Sequence, residues 1–278
     1  MKKIKPFEKR RTAEEYLSLS RKHLKHGDRV LRLVYKGFYY HSLAVSCSDL
    51  GRAGDKIKRY KLAAKKFVDA SMLCNTPALK AYASQYEGYA LITEAGCSTG
   101  KSKAKTYLDS SRHFRRAGNL FTKAEFKSEA SLCKGWAALA LACHYDACAA
   151  SGKTAMKKRL YEKSEQHALS ALKMFRRLGV EKLANRSKSL ELSSEAWLMA
   201  LKGETVSASK LFKMASDIIS ENSEWRNMHL FLLAWSKWFS AVSHNSKSDF
   251  SEAGRLFGEC GCVELKNCCD RYKGSLDS

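Results

Sequence analysis

The sequence predicts an all-α protein, an α-solenoid of about five helical hairpins. A pattern of a small residue, an aromatic residue and a second small residue returns five times, at intervals of 37 to 61 residues. Further aromatic residues recur 22 or 23 positions after the first four copies. The chain has only two prolines and no stretch of convincing period-two alternation, so we expect essentially no β-sheet. Self-similarity at such periods is typical of helical arrays that present a surface.

The repeated pattern places one aromatic ring between two small side chains on a single helical face. The second residue follows the first by four positions, and the third follows by three more. Such a ring fits where another helix backbone packs closely. The copies are Ala63, Phe67 and Ala70; Ser110, Phe114 and Ala117; Ala171, Phe175 and Leu178; Ala208, Phe212 and Ala215; and Ala253, Phe257 and Cys260.

The second set of aromatic residues indicates that each repeat has two helices. Tyr89, Trp136, Trp197 and Trp235 each lie in a long apolar, alanine-rich segment. Glycines such as Gly118 mark the predicted turns. The predicted helices cover residues 12–26, 29–50, 54–73, 77–95, 102–117, 121–150, 154–178, 181–202, 205–220, 223–243, 248–258 and 263–273.

One segment resembles a tetratricopeptide (TPR) unit. In residues 189–217 a first helix ends at Leu201, Gly203 follows, and Ala208, Phe212 and Ala215 come five, nine and twelve positions after that glycine. The other copies depart from the family's glycine position and its 34-residue length. The resemblance implies TPR-like repeats over 28–259, a right-handed superhelix and a concave groove. Residues 1–27 would form a basic arm and capping helix, and 260–278 a Cys-rich capping helix.

The composition, together with the lack of a recognisable secretory signal, predicts a cytoplasmic protein. Uninterrupted apolar runs fall short of the roughly 18–20 residues that span a membrane. The charged N-terminal residues are followed by no apolar segment of the secretory kind. We therefore interpret the ten cysteines as mostly reduced thiols.

Charge is the second informative feature of the sequence. The formal net charge is +22, and it is unevenly distributed. Residues 1–188 contain 40 Lys and Arg against 16 Asp and Glu, whereas residues 189–278 contain 10 against 12. The basic two-thirds of the chain therefore predict an anionic partner, such as an acidic protein segment, RNA, DNA or an anionic membrane surface.

A cation stands two residues before each repeated phenylalanine. A shift of two residues is about 200° around a helix, so these side chains should point away from the buried ring. We call Lys65, Arg112, Lys173, Lys210 and Arg255 the five-cation row. The neighbouring candidates for anion binding are Lys58, Lys61, Lys66, Arg115, Arg116, Arg176 and Arg177. The alternative interpretation is a solvated face that keeps the array soluble.

Two segments resemble phosphate-binding loops, but helix ends explain both of them more simply. Residues 95–102 and 147–154 each end in Gly-Lys-Ser or Gly-Lys-Thr. A phosphate-binding loop needs a strand before it, whereas both segments follow a predicted helix. A helix stop at glycine and an N-cap at Ser or Thr account for them. No catalytic constellation stands out, so we expect a non-enzymatic protein without a cofactor.

Four cysteines lie within ten residues near the C-terminus: Cys260, Cys262, Cys268 and Cys269. Four thiolates form a tetrahedral zinc site in many small domains. This spacing is not a usual zinc pattern, and Cys260 occupies a small-residue position of the repeat. Packing is therefore the favoured interpretation over metal binding.

These features favour one function and leave two alternatives open. The favoured function is a helical-repeat adaptor whose basic part binds an anionic or acidic partner. The expected partner is a protein with an acidic segment. The first alternative is direct RNA or DNA binding, as in a ribonucleoprotein-associated protein. The second is a metal or redox sensor that uses the cysteine cluster.

Overall fold

The computed structural model describes residues 12–25, 27–47 and 53–276, and all regular structure in these ranges is helical. Parts of the predicted segments, namely residues 1–11, 26, 48–52 and 277–278, lie outside the described residues. The α-helices are α1 (Ala13–Lys25), α2 (Arg29–Val45), α3 (Ala53–Leu73), α4 (Pro77–Cys97), α5 (Gly100–Lys123), α6 (Lys127–Ser151), α7 (Thr154–Arg177), α8 (Glu181–Leu201), α9 (Thr205–Asp217), α10 (Arg226–His244), α11 (Lys247–Glu259) and α12 (Val263–Ser275).

Each helix packs mainly against its neighbours in the sequence, which is the pattern of a helical repeat. The chain divides into two compact units, Met1–His144 and Tyr145–Ser278. In the first unit the contacts run from α1 to α2 and onward to α5, and in the second from α7 to α12. The predicted all-α class and solenoid-like helix order are therefore confirmed. The predicted division into an arm, a repeat region and a C-terminal cap stays a prediction.

The repeated phenylalanines form the centres of the core, as the pattern predicts. Phe67, Phe114, Phe175, Phe212 and Phe257 are all 0 % exposed. Each buried Phe side chain contributes roughly 1.5–3 kcal/mol relative to an exposed one. The small–aromatic–small pattern is thus the main packing element shared by the two units.

In the first unit these rings lie directly on the backbone of the preceding helix. A Cβ atom added at Gly88 in α4 would lie 2.9 Å from Cε1 of Phe114, and one added at Gly37 in α2 would overlap the ring of Phe67. Ser110 adds a link of the same kind, because its hydroxyl donates a hydrogen bond of 3.0 Å to the carbonyl oxygen of Gly88. The absence of a side chain at these glycines therefore allows the close approach.

The first helix of each repeat carries a second recurring pattern, which was not among the sequence predictions. A small residue directly precedes an aromatic residue at Gly37–Phe38, Gly88–Tyr89, Gly135–Trp136, Ala196–Trp197 and Ala234–Trp235. All five small residues are buried. In the second unit, Trp197 and Trp235 contact Phe212 with ring centroids 5.2 and 6.5 Å away. The second aromatic set is therefore the packing partner of the first.

The predicted turn at Gly118 is wrong, because α5 continues to Lys123. Gly118 lies inside the helix, where an added Cβ would lie 3.4 Å from the carbonyl oxygen of Ala130 in α6. The helix ends instead in a Schellman motif at Glu125, whose φ is 64°. In that motif the amide of Phe126 donates to the carbonyl of Phe121 at 2.9 Å, and the two rings stack. The glycine marks a close helix contact.

Candidate cationic interface

Most of the positive charge lies in the first unit. Its 144 residues contain 29 Lys and Arg against 12 Asp and Glu, whereas the second unit contains 21 against 16. The resulting formal charges are +17 and +5. A shared scaffold therefore carries two different charge distributions.

All members of the five-cation row are exposed, on the side of the helix away from the buried phenylalanine. The row consists of Lys65 and Arg112 in the first unit and Lys173, Lys210 and Arg255 in the second. The predicted orientation of these side chains relative to the core is therefore confirmed. A continuous anion-binding stripe along them stays a prediction.

Several predicted cations already have acidic partners. Two carboxylates hold the Arg255 guanidinium, Glu252 at 2.8 Å and Glu259. Arg112 pairs with Asp109 at 2.8 Å, and Lys61 pairs with Glu94 at 3.3 Å. Exposed pairs of this kind add little to stability. Binding an external anion at these positions would require competition with the internal carboxylate.

A cleft between α2 and α3 brings together cations from two helices. It has a volume of about 380 Å³ and is lined by Arg29, Arg32 and Lys36 from α2 and by Lys66 from α3. Its one acidic residue is Asp69, which pairs with Lys66 at 3.3 Å. Of these cations, the sequence analysis named only Lys66. We call this site the α2/α3 cleft.

Among the residues that the structure describes, the α2 cations of this cleft have no counter-ion. Across the described ranges, no carboxylate lies within ion-pair distance of Arg29, Arg32 or Lys36. Arg32 and Lys36 are only partly exposed. Burial lowers the pKa of Lys36, and the nearby charges of Arg32 and Lys66 lower it further. The cleft therefore holds like charges that repel one another.

A second, shallower groove lies along α5. Its volume is about 400 Å³, and its cationic lining consists of Arg112, Arg115, Arg116 and Lys123. In the described part of the chain, Arg115, Arg116 and Lys123 have no ion-pair partner. Arg115, Arg116 and Lys123 follow Arg112 by three, four and eleven positions, and these spacings place them on one face of the helix. We call this site the α5 groove, and two of its members had been predicted beside Arg112.

The remaining predicted cations do not join either site. Lys58 is exposed on α3 and is not part of the α2/α3 cleft lining. Arg176 and Arg177 are exposed in the last turn of α7. Cations at a helix C-terminus interact favourably with the helix dipole. The two arginines therefore have a sufficient structural role within their own helix.

The two loop-like segments have the helical surroundings that the sequence analysis expected. Each follows a helix, α4 or α6, so neither has the strand that a phosphate-binding loop requires. The expected caps differ in detail. Thr99 occupies the N-cap of α5 but makes no side-chain capping bond, and Lys153 occupies the N-cap of α7. The expected N-cap at the Ser or Thr after the glycine is therefore wrong, because Ser102 lies inside α5 and Thr154 is the first residue of α7.

Two of the C-terminal cysteines, Cys260 and Cys262, lie in the turn between α11 and α12, and Cys268 and Cys269 lie in α12. Cys269 is fully buried, and an added Cβ at Gly254 would lie 3.2 Å from its Cβ. Burial, and then the charges of Asp270 and Cys268, raise the pKa of Cys269 to about 11. Within the described residues, no three His, Cys, Asp or Glu side chains are grouped so as to hold a metal ion. The position of Cys269 fits the favoured packing interpretation.

Comparisons with known proteins give no match to a family model or to a curated protein. No helix among the described residues is long and apolar enough to cross a membrane.

The sequence analysis missed Arg29, Arg32 and Lys36, although they carry a readable signal. Their spacings of three and four place them on one helical face. The predicted cations were defined by their distance from the repeated phenylalanine, and α2 contains no phenylalanine of that pattern. A search for charged residues at helical spacing on every first helix would have found them.

Proposed function

We propose that this protein is a non-enzymatic helical-repeat adaptor of the TPR-like class that binds an acidic partner protein in the cytoplasm. The observation that carries the proposal is the convergence of exposed Arg29 with the partly buried Arg32 and Lys36 in the α2/α3 cleft, with no ion-pair partner for the three among the described residues. Cations that serve only to keep the surface soluble have no reason to converge in one cleft. An acidic partner would supply the missing counter-charges.

The scaffold is suited to such a role. Repeat proteins expose long surfaces because each helix pair needs only its neighbours for stability. The segment around Gly203 supports the TPR-like class, because α8 ends at Leu201 and Ala208, Phe212 and Ala215 are buried in α9. Binding residues can therefore vary on the surface while the small–aromatic–small core is kept.

Direct RNA or DNA binding is the second candidate, and the α5 groove favours it. Arg112, Arg115, Arg116 and Lys123 extend along about 16 Å of one helix, given a rise of 1.5 Å per residue. A row of this kind can follow a phosphate backbone. The cleft and the groove therefore favour different ligand classes.

The function is tested by measuring salt-dependent binding of three probes to the nuclease-treated full chain. The probes are a labelled acidic peptide library, single-stranded RNA and duplex DNA, measured by fluorescence anisotropy at several salt concentrations. An adaptor should bind members of the peptide library at physiological salt. Tight binding of nucleic acid alone, with affinity falling steeply as salt rises, would replace the adaptor by the second candidate.

A further inference from the structure

The α2/α3 cleft has two chemically different halves. The basic half consists of Arg29, Arg32 and Lys36, and the apolar half includes Met72 and Leu73 near the end of α3. Met72 is 73 % exposed and Leu73 is 45 % exposed. Exposed apolar side chains that border a charged cleft are a feature of binding surfaces. The two halves together restrict which ligand fits.

Two cations of the basic half lie at the helix end where positive charge is disfavoured. Arg29 and Arg32 lie in the first turn of α2, which contains no acidic residue after the Asp28 cap. Positive side chains are disfavoured there, because the first turn carries the positive end of the helix dipole. An anion in the cleft would relieve both this repulsion and the repulsion among the side chains.

The apolar half favours a peptide over a nucleic acid. Single-stranded nucleic acids are commonly bound by stacking their bases on aromatic rings. The described lining of the cleft is aliphatic beside its charged groups, with Leu33 in addition to Met72 and Leu73. Methionine adapts its shape to a variety of apolar side chains. An aliphatic or aromatic peptide side chain therefore suits this half.

Asp69 gives a second reason to favour a peptide. Its carboxylate lies in the cleft and pairs with Lys66 at 3.3 Å. A negative group would repel a continuous phosphate backbone, whereas it accepts hydrogen bonds from the amide groups of a peptide. The cleft thus combines cations, one acceptor and an apolar surface.

We infer that the α2/α3 cleft binds an internal segment of a partner protein in which acidic residues neighbour an apolar side chain. The carboxylates bind Arg29, Arg32 and Lys36, and the apolar side chain packs on Met72 and Leu73. This inference rests on the proposed adaptor function and assigns that function to one site.

The test uses a library of twelve-residue peptides with blocked ends, so that no terminal carboxylate contributes. Each peptide contains four Asp or Glu and two Leu or Phe residues in varied order, and the strongest binder is measured by fluorescence anisotropy on the full chain. The double variant Arg32→Gln, Lys36→Gln should weaken binding about 30-fold or more, because two charge-assisted contacts are lost. Replacing the apolar residues of the peptide by Ser should weaken binding about tenfold.

The matched control is the double variant Arg115→Gln, Arg116→Gln in the α5 groove, which changes the net charge by the same amount. It should weaken binding less than about threefold. Equal losses for the two double variants would overturn the inference and leave the adaptor function in place. If no peptide of the library binds the unaltered protein, both the inference and the adaptor function fail.

A second measurement does not depend on variants. Lysine acylation followed by mass spectrometry reports which amines the bound peptide covers. Lys36 and Lys66 should be protected, whereas Lys65, the exposed neighbour of Lys66 on the same helix, should react as before. Protection of Lys65 with continued reaction of Lys36 would contradict the inference.

Discussion

The two units share one packing scheme and differ in whether clustered cations have a carboxylate partner. Both bury the repeated phenylalanines completely, and in the first unit two of the rings lie on glycines of the preceding helix. In the first unit Arg32 and Lys36 converge with no counter-ion among the described residues. In the second unit, cations such as Lys188 and Lys213 pair with carboxylates three or four positions along the same helix. The difference shows that the scaffold does not determine the surface charge.

The units also differ in the small residue that precedes the aromatic residue of the first helix. The first unit has Gly37 and Gly88, on which the phenylalanine rings lie directly. The second unit has Ala196 and Ala234, which belong to the same buried clusters as Phe212 and Phe257. Glycine allows the closer approach, but it costs helix stability of roughly 0.5–1 kcal/mol relative to alanine. The first unit therefore accepts a weaker helix for closer packing, and this trade can be measured.

The largest effect is expected for Gly88→Ala in the first unit. Its new Cβ would lie 2.9 Å from the Phe114 ring, so the free energy of unfolding should fall by about 2 kcal/mol. The matched change in the second unit, Ala196→Gly, should cost about 1 kcal/mol through helix propensity. Denaturant unfolding measures both. An unchanged stability for Gly88→Ala would refute the close packing of Phe114 on α4.

Glu125→Gly should stabilise the protein. Glu125 has a φ of 64° where α5 ends, whereas the second unit ends α7 and α8 with Gly179 and Gly203 at positive φ. Glycine removes the strain of a left-handed residue, so a gain of about 1 kcal/mol is expected. The opposite change, Gly203→Ala, should lower stability by a similar amount. Thermal unfolding of the two variants should therefore shift in opposite directions.

Removal of one unpaired cation should also stabilise the chain, by about 0.5 kcal/mol. The variant Lys36→Met relieves repulsion from Arg32 and Lys66. Its counterpart Lys188→Met breaks the pair with Glu191 at 3.0 Å and should cost about 0.5 kcal/mol. Both values are measured by denaturant unfolding at low salt. A loss of stability in Lys36→Met would mean that the cleft contains a compensating charge.

The smallest effect concerns an acidic group in the second unit. Burial raises the pKa of Glu165, and the charges of Glu195, Glu191 and Glu162 raise it further, against the opposing effect of Lys188. A carboxyl whose folded pKa is raised loses stabilisation as the pH rises from its ordinary value through the raised one. Glu165→Gln should therefore stabilise the protein at pH 7 by a few tenths of a kcal/mol. This gain should vanish below the ordinary pKa of glutamate, and a gain that persists at low pH would contradict the assignment.

The sequence was sufficient for the fold because its main determinant is local. Spacings of four and three around Phe67 or Phe212 predict a helical face, and burial of both rings follows from it. Gly118 was misread because a glycine inside a helix contact and a glycine at a helix end have the same sequence appearance. Only the position of Ala130 on α6 distinguishes them.

The candidate site was less predictable, because it depends on two helices. Lys66 was named from α3, but its neighbours Arg32 and Lys36 come from α2 and are set beside it by hairpin packing. The ion pairs were equally hard to predict from the sequence. The sequence does not distinguish Lys61, which pairs with Glu94 of α4, from an unpaired lysine on the same helix.

Hydrogen exchange of the full chain with and without the strongest-binding acidic peptide tests most directly whether the unpaired cations of the first unit determine where a partner binds. Slower exchange is expected in residues 29–36 and 66–73, with the second unit unchanged. Slower exchange in the second unit, or along α5 alone, would contradict the account and show that total charge or another surface selects the partner.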